Sequence, residues 1–498
     1  MVLKLPQVLI APVMTIGTNM KVFNKSTIGE SHIADQRPCQ DFSLSYQESG
    51  LSVTIVSDGH GGKSYFRSHI GSEKACNVAL EAIKMFVKDV DATNFSTIGR
   101  EAIRIPPLTA AEHSGKLGKQ ENLLRQLSKN IILNWRKEVE EDAATNILTD
   151  WERVHVDKEY LAQIEDSEKL HRVYGCTLMG FAATPTFWFA LHIGDGKCFA
   201  FYDKGAGKIW DEPLPWDEKC FLNRTTSICA NDAYESFRFA YGGIDSLPIA
   251  VFLGSDGIDD TFGEDNLLSD FYIKILKEIL FSSQEEVVNA LEVDLPILSR
   301  RGSQDDMSVA CLYDEKKLIE NIEYILEHQI SLVESRIDAS EKHIKELISR
   351  KQELEHYLEV KERFTVWNHE KIELEKRLKI SSNTNIDIEL GFTDKDIARE
   401  NENKCKLCRK QNSLLEERSK VAEISSMNNV NSEKETIMSE ACISRNVENT
   451  VSQNNESSKE PDSKELTASS EQIEKKQQDI YSICSDNNTS ITIAEENF

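Results

Sequence analysis

Five short stretches place an aspartate at an expected strand end or in a tight glycine turn. They are Gln40-Asp41, Ser57-Asp58-Gly59-His60-Gly61-Gly62, Gly194-Asp195-Gly196, Gly254-Ser255-Asp256-Gly257 and Gly302-Ser303-Gln304-Asp305-Asp306. A strand is a rigid platform, and an aspartate at its end projects a hard oxygen to the rim of a sheet. The glycine that follows lets the backbone turn and leaves its carbonyl accessible. Several such carboxylates meeting at one point are costly unless a cation resolves them. Oxygen ligands of this kind suit magnesium or manganese, and no His/Cys cluster in this zone suggests zinc. One Asp-Gly alone is usually a plain turn, the reading given to Asp203 and Asp211; the weight lies in the ordered set.

The elements that must carry these residues are visible as periodicities. Leu51, Val53 and Ile55 alternate with Ser52, Thr54 and Val56, a period of two that predicts a strand running into Asp58. Residues 175–183 and 186–193 read as two strands joined at Thr184-Pro185, the second leading into Asp195. Residues 249–253 lead to Asp256, and 307–313 follow Asp305. Helical spacing marks 66–87, 120–141, 266–280 and 284–291. The first 315 residues hold nearly all the Gly, Pro and Trp and read as mixed α/β.

Beyond them, 316–378 is charged and leucine-rich. Leu326, Ile330, Val333, Ile337, Ile344, Leu347, Leu354 and Leu358 fall on a 3.5-residue repeat, broken by Ser340 and Lys351. That spacing predicts a long helix in a coiled coil or helical hairpin, able to pair with a second copy or with a partner helix. Residues 379–498 are Ser-, Asn-, Glu- and Lys-rich with few aromatics, a composition that predicts a disordered tail with short helices near 401–423. Cys405-Lys406-Leu407-Cys408 is a lone CxxC without a second pair to complete a zinc site.

The formal net charge of -26 argues against nucleic acid as a partner. Eleven scattered cysteines fit free thiols in a reducing, cytoplasmic setting. The N-terminal MVLKLPQVLIAPVM reads as an edge strand or lead-in. No run approaches the ~18 apolar residues of a membrane span.

The ordered set resembles the type 2C metal-dependent protein phosphatase family over residues 15–315. SDGHGG is similar to its most diagnostic motif, and YGCT to its Gly-Thr-Thr strand with Cys176 for the first threonine. HIGDG resembles its Gly-Asp turn, GSDGIDD its second Asp-Gly and RGSQDDMSV its closing strand. HIAD…PCQD and NRTTSIC look closest to a bacterial-type subgroup. The resemblance implies an α+β fold, a four-layer α/β/β/α sandwich of two antiparallel sheets. It also implies hydrolysis of protein phosphoserine and phosphothreonine by a water that two Mg2+ or Mn2+ ions activate. Asp58 would bridge the ions and the Gly59 carbonyl would ligate one. Asp41, Asp256 and Asp305 would complete the shells, and Asp195 would serve a third ion. His60 would be the general acid.

The chain departs from that pattern in places. Gln40 stands where a carboxylate is usual, and Asp306 replaces an asparagine. The phosphate-binding arginine is displaced, with Arg37, His32 and Arg67 as candidates. Gln40 and the displaced arginine favour the alternative, a pseudophosphatase that binds phosphoproteins from a coiled-coil scaffold; the retained Asp41, Asp58, His60, Asp256 and Asp305 argue against it. In the resembling family the interval that here holds Pro213, Pro215, Trp216 and the run 223–227 is a flap that shapes substrate access; the residues themselves read equally as an ordinary loop.

Overall fold

The computed structural model describes residues 20–452, apart from 96–98, 110–116, 222–223, 364–368 and 382–383. The expected N-terminal lead-in and the tail from 453 lie outside the described residues. Two compact units are present, one of residues up to Ile319 and one of Glu320–Ser452.

Among its described residues the first unit has eleven strands: β1 (Met20–Thr27), β2 (Phe42–Glu48), β3 (Leu51–Ser57), β4 (Ile103–Ile105), β5 (Leu178–Ala183), β6 (Phe187–Ile193), β7 (Lys197–Phe201), β8 (Trp210–Asp211), β9 (Arg238–Gly243), β10 (Ala250–Gly254) and β11 (Met307–Asp314). They form a five-stranded sheet, β1-β11-β10-β7-β8, and a six-stranded sheet, β2-β3-β5-β6-β9-β4. The pairings are antiparallel, as in β1 with β11, which runs from Met20 opposite Asp314 to Thr27 opposite Met307.

The helices before the long C-terminal ones are α1 (Glu30–Ala34), α2 (Ser68–Asp89), α3 (Lys119–Thr145), α4 (Asp150–His155), the short turns α5 (Lys158–Leu161), α6 (Leu170–Val173) and α7 (Ala233–Ser236), then α8 (Asp256–Phe262), α9 (Asp265–Phe281) and α10 (Gln284–Arg301). Between the sheets lie Val22, Val56, Met179, Phe181, Trp188, Val251, Leu253 and Leu312. On the outer face of the six-stranded sheet, Val53 and Ile55 pack with Ala79 and Ile83 of α2 and Leu127, Ile131 and Trp135 of α3. On the far side, Tyr272 of α9 stacks on Phe252 of β10 with centroids 4.3 Å apart. Gln284 at the start of α10 donates to the Val22 carbonyl of β1 at 3.0 Å. This is the four-layer sandwich, and it explains why β3 is buried along its whole length. Both of its faces are covered, so Ser52 and Thr54 turn inward as well, and Ser52 finds the Met20 carbonyl at 3.1 Å.

The second unit is helical. α11 (Glu315–Arg363) starts in the first unit and continues through the second, followed by α12 (His369–Leu378) and α13 (Ile386–Ser452). Helix therefore occupies 386–452, where composition predicts disorder. Contacts account for the part from Asp394 to Gln411. Glu334 meets Gln411, Ser340 meets Glu400, Glu341 meets Lys404 and Lys351 meets Asp394 at 2.6–3.0 Å, so α13 runs antiparallel to α11. Leu354, Tyr357, Val360, Leu374, Leu378 and Ile386 form a small shared core. α13 has too few apolar residues to fold by itself, and α11 supplies the surface it lacks. No helix among the described residues is long and apolar enough to cross a membrane.

Candidate metal centre

The strand ends bring four of the five aspartate stretches together directly. Asp58 follows β3. Its backbone N–H donates to Thr177 Oγ1 at 2.9 Å, and its carbonyl accepts from Thr177 N at 2.8 Å. Gly59 then bridges to Cys176. A side chain at 59 would meet the Gln40 carbonyl at 2.5 Å, so only glycine lets the two site segments touch. Asp41 precedes β2 and is buried. Asp256 opens α8 directly after β10, and Asp195 sits half-buried in the turn between β6 and β7.

Their electrostatics show convergence. Desolvation, then the charges of Asp256, Asp41 and Asp195, push Asp58 well above the usual carboxylate range, and it shares a hydrogen bond with Asp256. Desolvation and the charges of Asp306 and Asp256 raise Asp41, against hydrogen bonds from Ser255 and Ser308. Asp256 is raised by desolvation and by Asp195, Asp305 and Asp260. One oxygen each of Asp41 and Asp195 is buried without a hydrogen-bond partner. Buried carboxylates that converge, are held above their usual range and keep oxygens without a donor fit a divalent cation.

Asp305 and Asp306 divide their work. The Asp305 side chain is 53 % exposed, whereas Asp306 is 3 % exposed. Asp306 Oδ1 accepts from Gly29 N at 2.7 Å, and Oδ2 accepts from Gln40 N at 2.5 Å and lies 2.9 Å from His32 Nδ1. His32, Asp305 and Asp306 bring ligand atoms within 4.8 Å of one another. Since N–H donors surround Asp306, Asp305 is the acid with oxygen to spare, and Asp306 ties the start of β11 to the segments carrying Gly29 and Gln40.

The anion candidates fare differently. Both His32 ring nitrogens face acids, with Nε2 3.7 Å from Asp305. Burial pushes that ring down, but Asp306 and Asp305 outweigh it and hold its pKa up. His32 thus serves carboxylates in this structure and is not placed as a free phosphate ligand. Arg67 is buried, paired with Glu152 at 2.5 Å and Asp142 at 3.2 Å, and donates to Tyr174 Oη at 3.0 Å. Arg37 does reach the site loop, donating to the Gly61 carbonyl at 3.1 Å and to Asp35 at 2.6 Å. Gln40 gains a role its charge loss does not suggest. Nε2 donates to Ser68 Oγ at 2.5 Å and to the His60 carbonyl at 3.3 Å, clamping the loop on α2. The His60 carbonyl can only accept, which fixes the amide orientation.

His60 is lowered to about 4, by burial and by the charge of Arg172. Arg172 is the residue that motif reading missed; nothing in the local pattern around Leu170–Val173 marks it. The stretch that carries Pro213, Trp216 and Thr226 is anchored beside Asp195, with Gly194 N donating to Thr226 Oγ1 at 3.0 Å and Cys220 Sγ to the Gly194 carbonyl at 3.2 Å. It leaves Trp216 and Phe221 exposed.

The family model described as Protein phosphatase 2C matches residues 28–292, more than half of the chain. The chain belongs to the type 2C protein phosphatase family. Among solved structures, it is similar to PppA of Pseudomonas aeruginosa, with 17% identity and a TM-score of 0.33 over 60% of this chain and 98% of that one. It is also similar to Stp1 of Staphylococcus aureus, with 13% identity and a TM-score of 0.34 over 60% and 97%. The catalytic domain of PstP in complex with two manganese ions gives 15% identity and a TM-score of 0.32 over 59% and 97%. Likenesses this weak add nothing to the fold described above. A search of curated proteins finds no match.

Proposed function

We propose that this type 2C family member hydrolyses phosphoserine and phosphothreonine esters on proteins, with Mg2+ or Mn2+ held by Asp41, Asp58, the Gly59 carbonyl, Asp256 and Asp305. The observation that carries the reading is the convergence of Asp41, Asp58 and Asp256, all raised by burial and by neighbouring carboxylates, with no side-chain cation among them. Two bound ions would supply positive charge for the phosphoryl oxygens and an acidified water; Asp195 is suited to hold a third.

The chain's own groups supply the rest. Thr177 fixes the Asp58 peptide, and Gln40 fixes the His60 peptide. His60 packs edge-on against Tyr65, with ring centroids 4.8 Å apart, beside the Asp58 turn. With its pKa near 4 the ring is neutral at pH 7, so it offers the leaving oxygen an N–H as a hydrogen-bond donor. Arg37 stands at the loop rim through Gly61.

We place the catalytic domain in residues 1–315 and read the helices beyond as a tether. In that tether α11 finds its coiled-coil partner within the chain, in α13. Cysteines that are free among the described residues support a cytoplasmic setting. The missing carboxylate at Gln40 favours the second reading, a pseudophosphatase that only binds phosphoproteins. One assay separates them: the full chain on a phosphothreonine peptide with Mn2+, with EDTA and as Asp58→Asn. Turnover that needs Mn2+ and disappears in the variant is expected. Turnover in Mn2+ no greater than that of Asp58→Asn rejects the enzyme.

A further inference from the structure

A phosphatase must meet a dianionic phosphoryl group with donors as well as ions, and three basic side chains near the site are already engaged. Arg67 is buried against Glu152 and Asp142, His32 lies against Asp305 and Asp306, and Arg37 is bonded to Asp35 and Gly61. Lys63, on the site loop, pairs with Asp157 at 3.5 Å.

Arg172 differs from all four. It is exposed, and its guanidinium has no ion pair or hydrogen bond among the described residues. Its Cζ stands 5.3 Å from the centroid of the Tyr65 ring. The same ring meets His60 edge-on at 4.8 Å with an interplanar angle of 74°. Tyr65 is held like a shelf. Its N–H donates to the Gly62 carbonyl at 2.8 Å. A Cβ at Gly175 would come within 2.7 Å of the ring, and one at Gly62 within 3.1 Å. The backbone links the same parts: Gly175 N donates to the Arg172 carbonyl at 3.0 Å, and His60 N to the Gly175 carbonyl at 3.1 Å.

A guanidinium held over a fixed ring loses less freedom on binding than one free in solvent. Its edge N–H groups stay available for two phosphoryl oxygens at once. We propose that Arg172, on its Tyr65 shelf beside His60, binds the phosphoryl oxygens of the phosphoprotein substrate. The inference rests on the phosphatase reading above and supplies the phosphate arginine that the sequence pattern leaves displaced.

The test uses the full chain with Mn2+, a phosphothreonine peptide and inorganic phosphate as competitor. Arg172→Ala should raise KM and the phosphate inhibition constant in parallel, each about tenfold, the loss of one charge-assisted pair. Arg172→Lys should restore only part, because an ammonium lacks the fork. Tyr65→Leu should give a smaller rise, and Mn2+ affinity by calorimetry should hold in all three. An active wild type whose KM and phosphate inhibition are unmoved by Arg172→Ala overturns the inference. So does a parallel fall in Mn2+ affinity, which would make Arg172 a prop for the acids. If the wild type does not turn over, calorimetric binding of inorganic phosphate decides. Binding that Arg172→Ala weakens keeps this inference while the hydrolase reading fails; binding that it leaves alone, or none in the wild type, sinks the inference as well.

Discussion

Two groups of acidic side chains lie inside the sandwich unit, and they are treated in opposite ways. Asp142 and Glu152 close on Arg67, which also bonds Tyr174 and the carbonyls of Asn146 and Ile147. Burial pushes Glu152 up, but hydrogen bonds from Arg67 and Thr149 outweigh it and hold its carboxyl below the usual range. Asp41, Asp58 and Asp256 close on one another instead, and all three are driven up. The first group is a finished joint between α2, α3 and α4. The second has no such side-chain cation among the described residues, and in the proposed reading a divalent ion supplies it. Burial is common to both, so burial alone does not mark a functional acid; the missing partner does.

The contrast can be broken at either end. The largest effect should come from Asp58→Asn, which removes the acid that the other site carboxylates face. Mn2+ affinity by calorimetry should fall by more than the ~10–100-fold typical of outer-layer changes; a smaller loss would move the centre elsewhere. Next, Arg67→Met leaves two buried acids without their cation. Urea unfolding should show a loss of about 3–5 kcal/mol, and a change near zero would mean that Asp142 and Glu152 find other donors.

A third effect has the opposite sign. In EDTA, Asp58→Asn should stabilise the protein by about 0.5–2 kcal/mol, as expected when a functional site is relieved of like charges. A loss of stability there would mean that the acids are compensated already. The pH response sharpens the comparison. Glu152 has a depressed folded pKa, so its contribution is full above its unfolded value of about 4.3 and fades as pH falls through the folded one. Glu152→Gln should therefore differ from wild type at pH 7 and approach it in acid unfolding curves at low pH. The smallest effect belongs to an exposed pair in the second unit. Lys351→Ala removes the contact with Asp394, whose side chain is 54 % exposed, and should leave the urea midpoint unchanged, because solvent screens an exposed pair; a clear downward shift would mean the pair is part of a larger network.

Much of the sandwich was legible in sequence because strands that end in Asp-Gly carry both the period and the punctuation. Asp58, Asp256 and Asp195 each sit where an apolar run stops. What escaped depends on contacts between segments distant in sequence. Gln40 reads as a lost charge, and only its distances to Ser68 and the His60 carbonyl show a clamp. Asp305 and Asp306 are adjacent and chemically identical, so exposure and donors, not order, tell them apart. Arg172 belongs to no motif; the fold alone carries it to Tyr65. The helix is longer than the short helices expected near 401–423, because its apolar side chains Ile386, Leu390, Leu414 and Val421 are sparse along the chain.

The Asp306 cradle also limits how the gene can be recombined. Its neighbours there are backbone N–H groups of Gly29 and Gln40, which cannot reverse polarity. An amide in its place would turn an NH2 towards one of them, leaving two donors nose to nose in a site closed to water. A chimera that borrows the closing strand of a relative bearing asparagine should therefore fail unless it also imports that relative's segment around positions 29–40. Those two stretches, some 270 residues apart, form one heritable module.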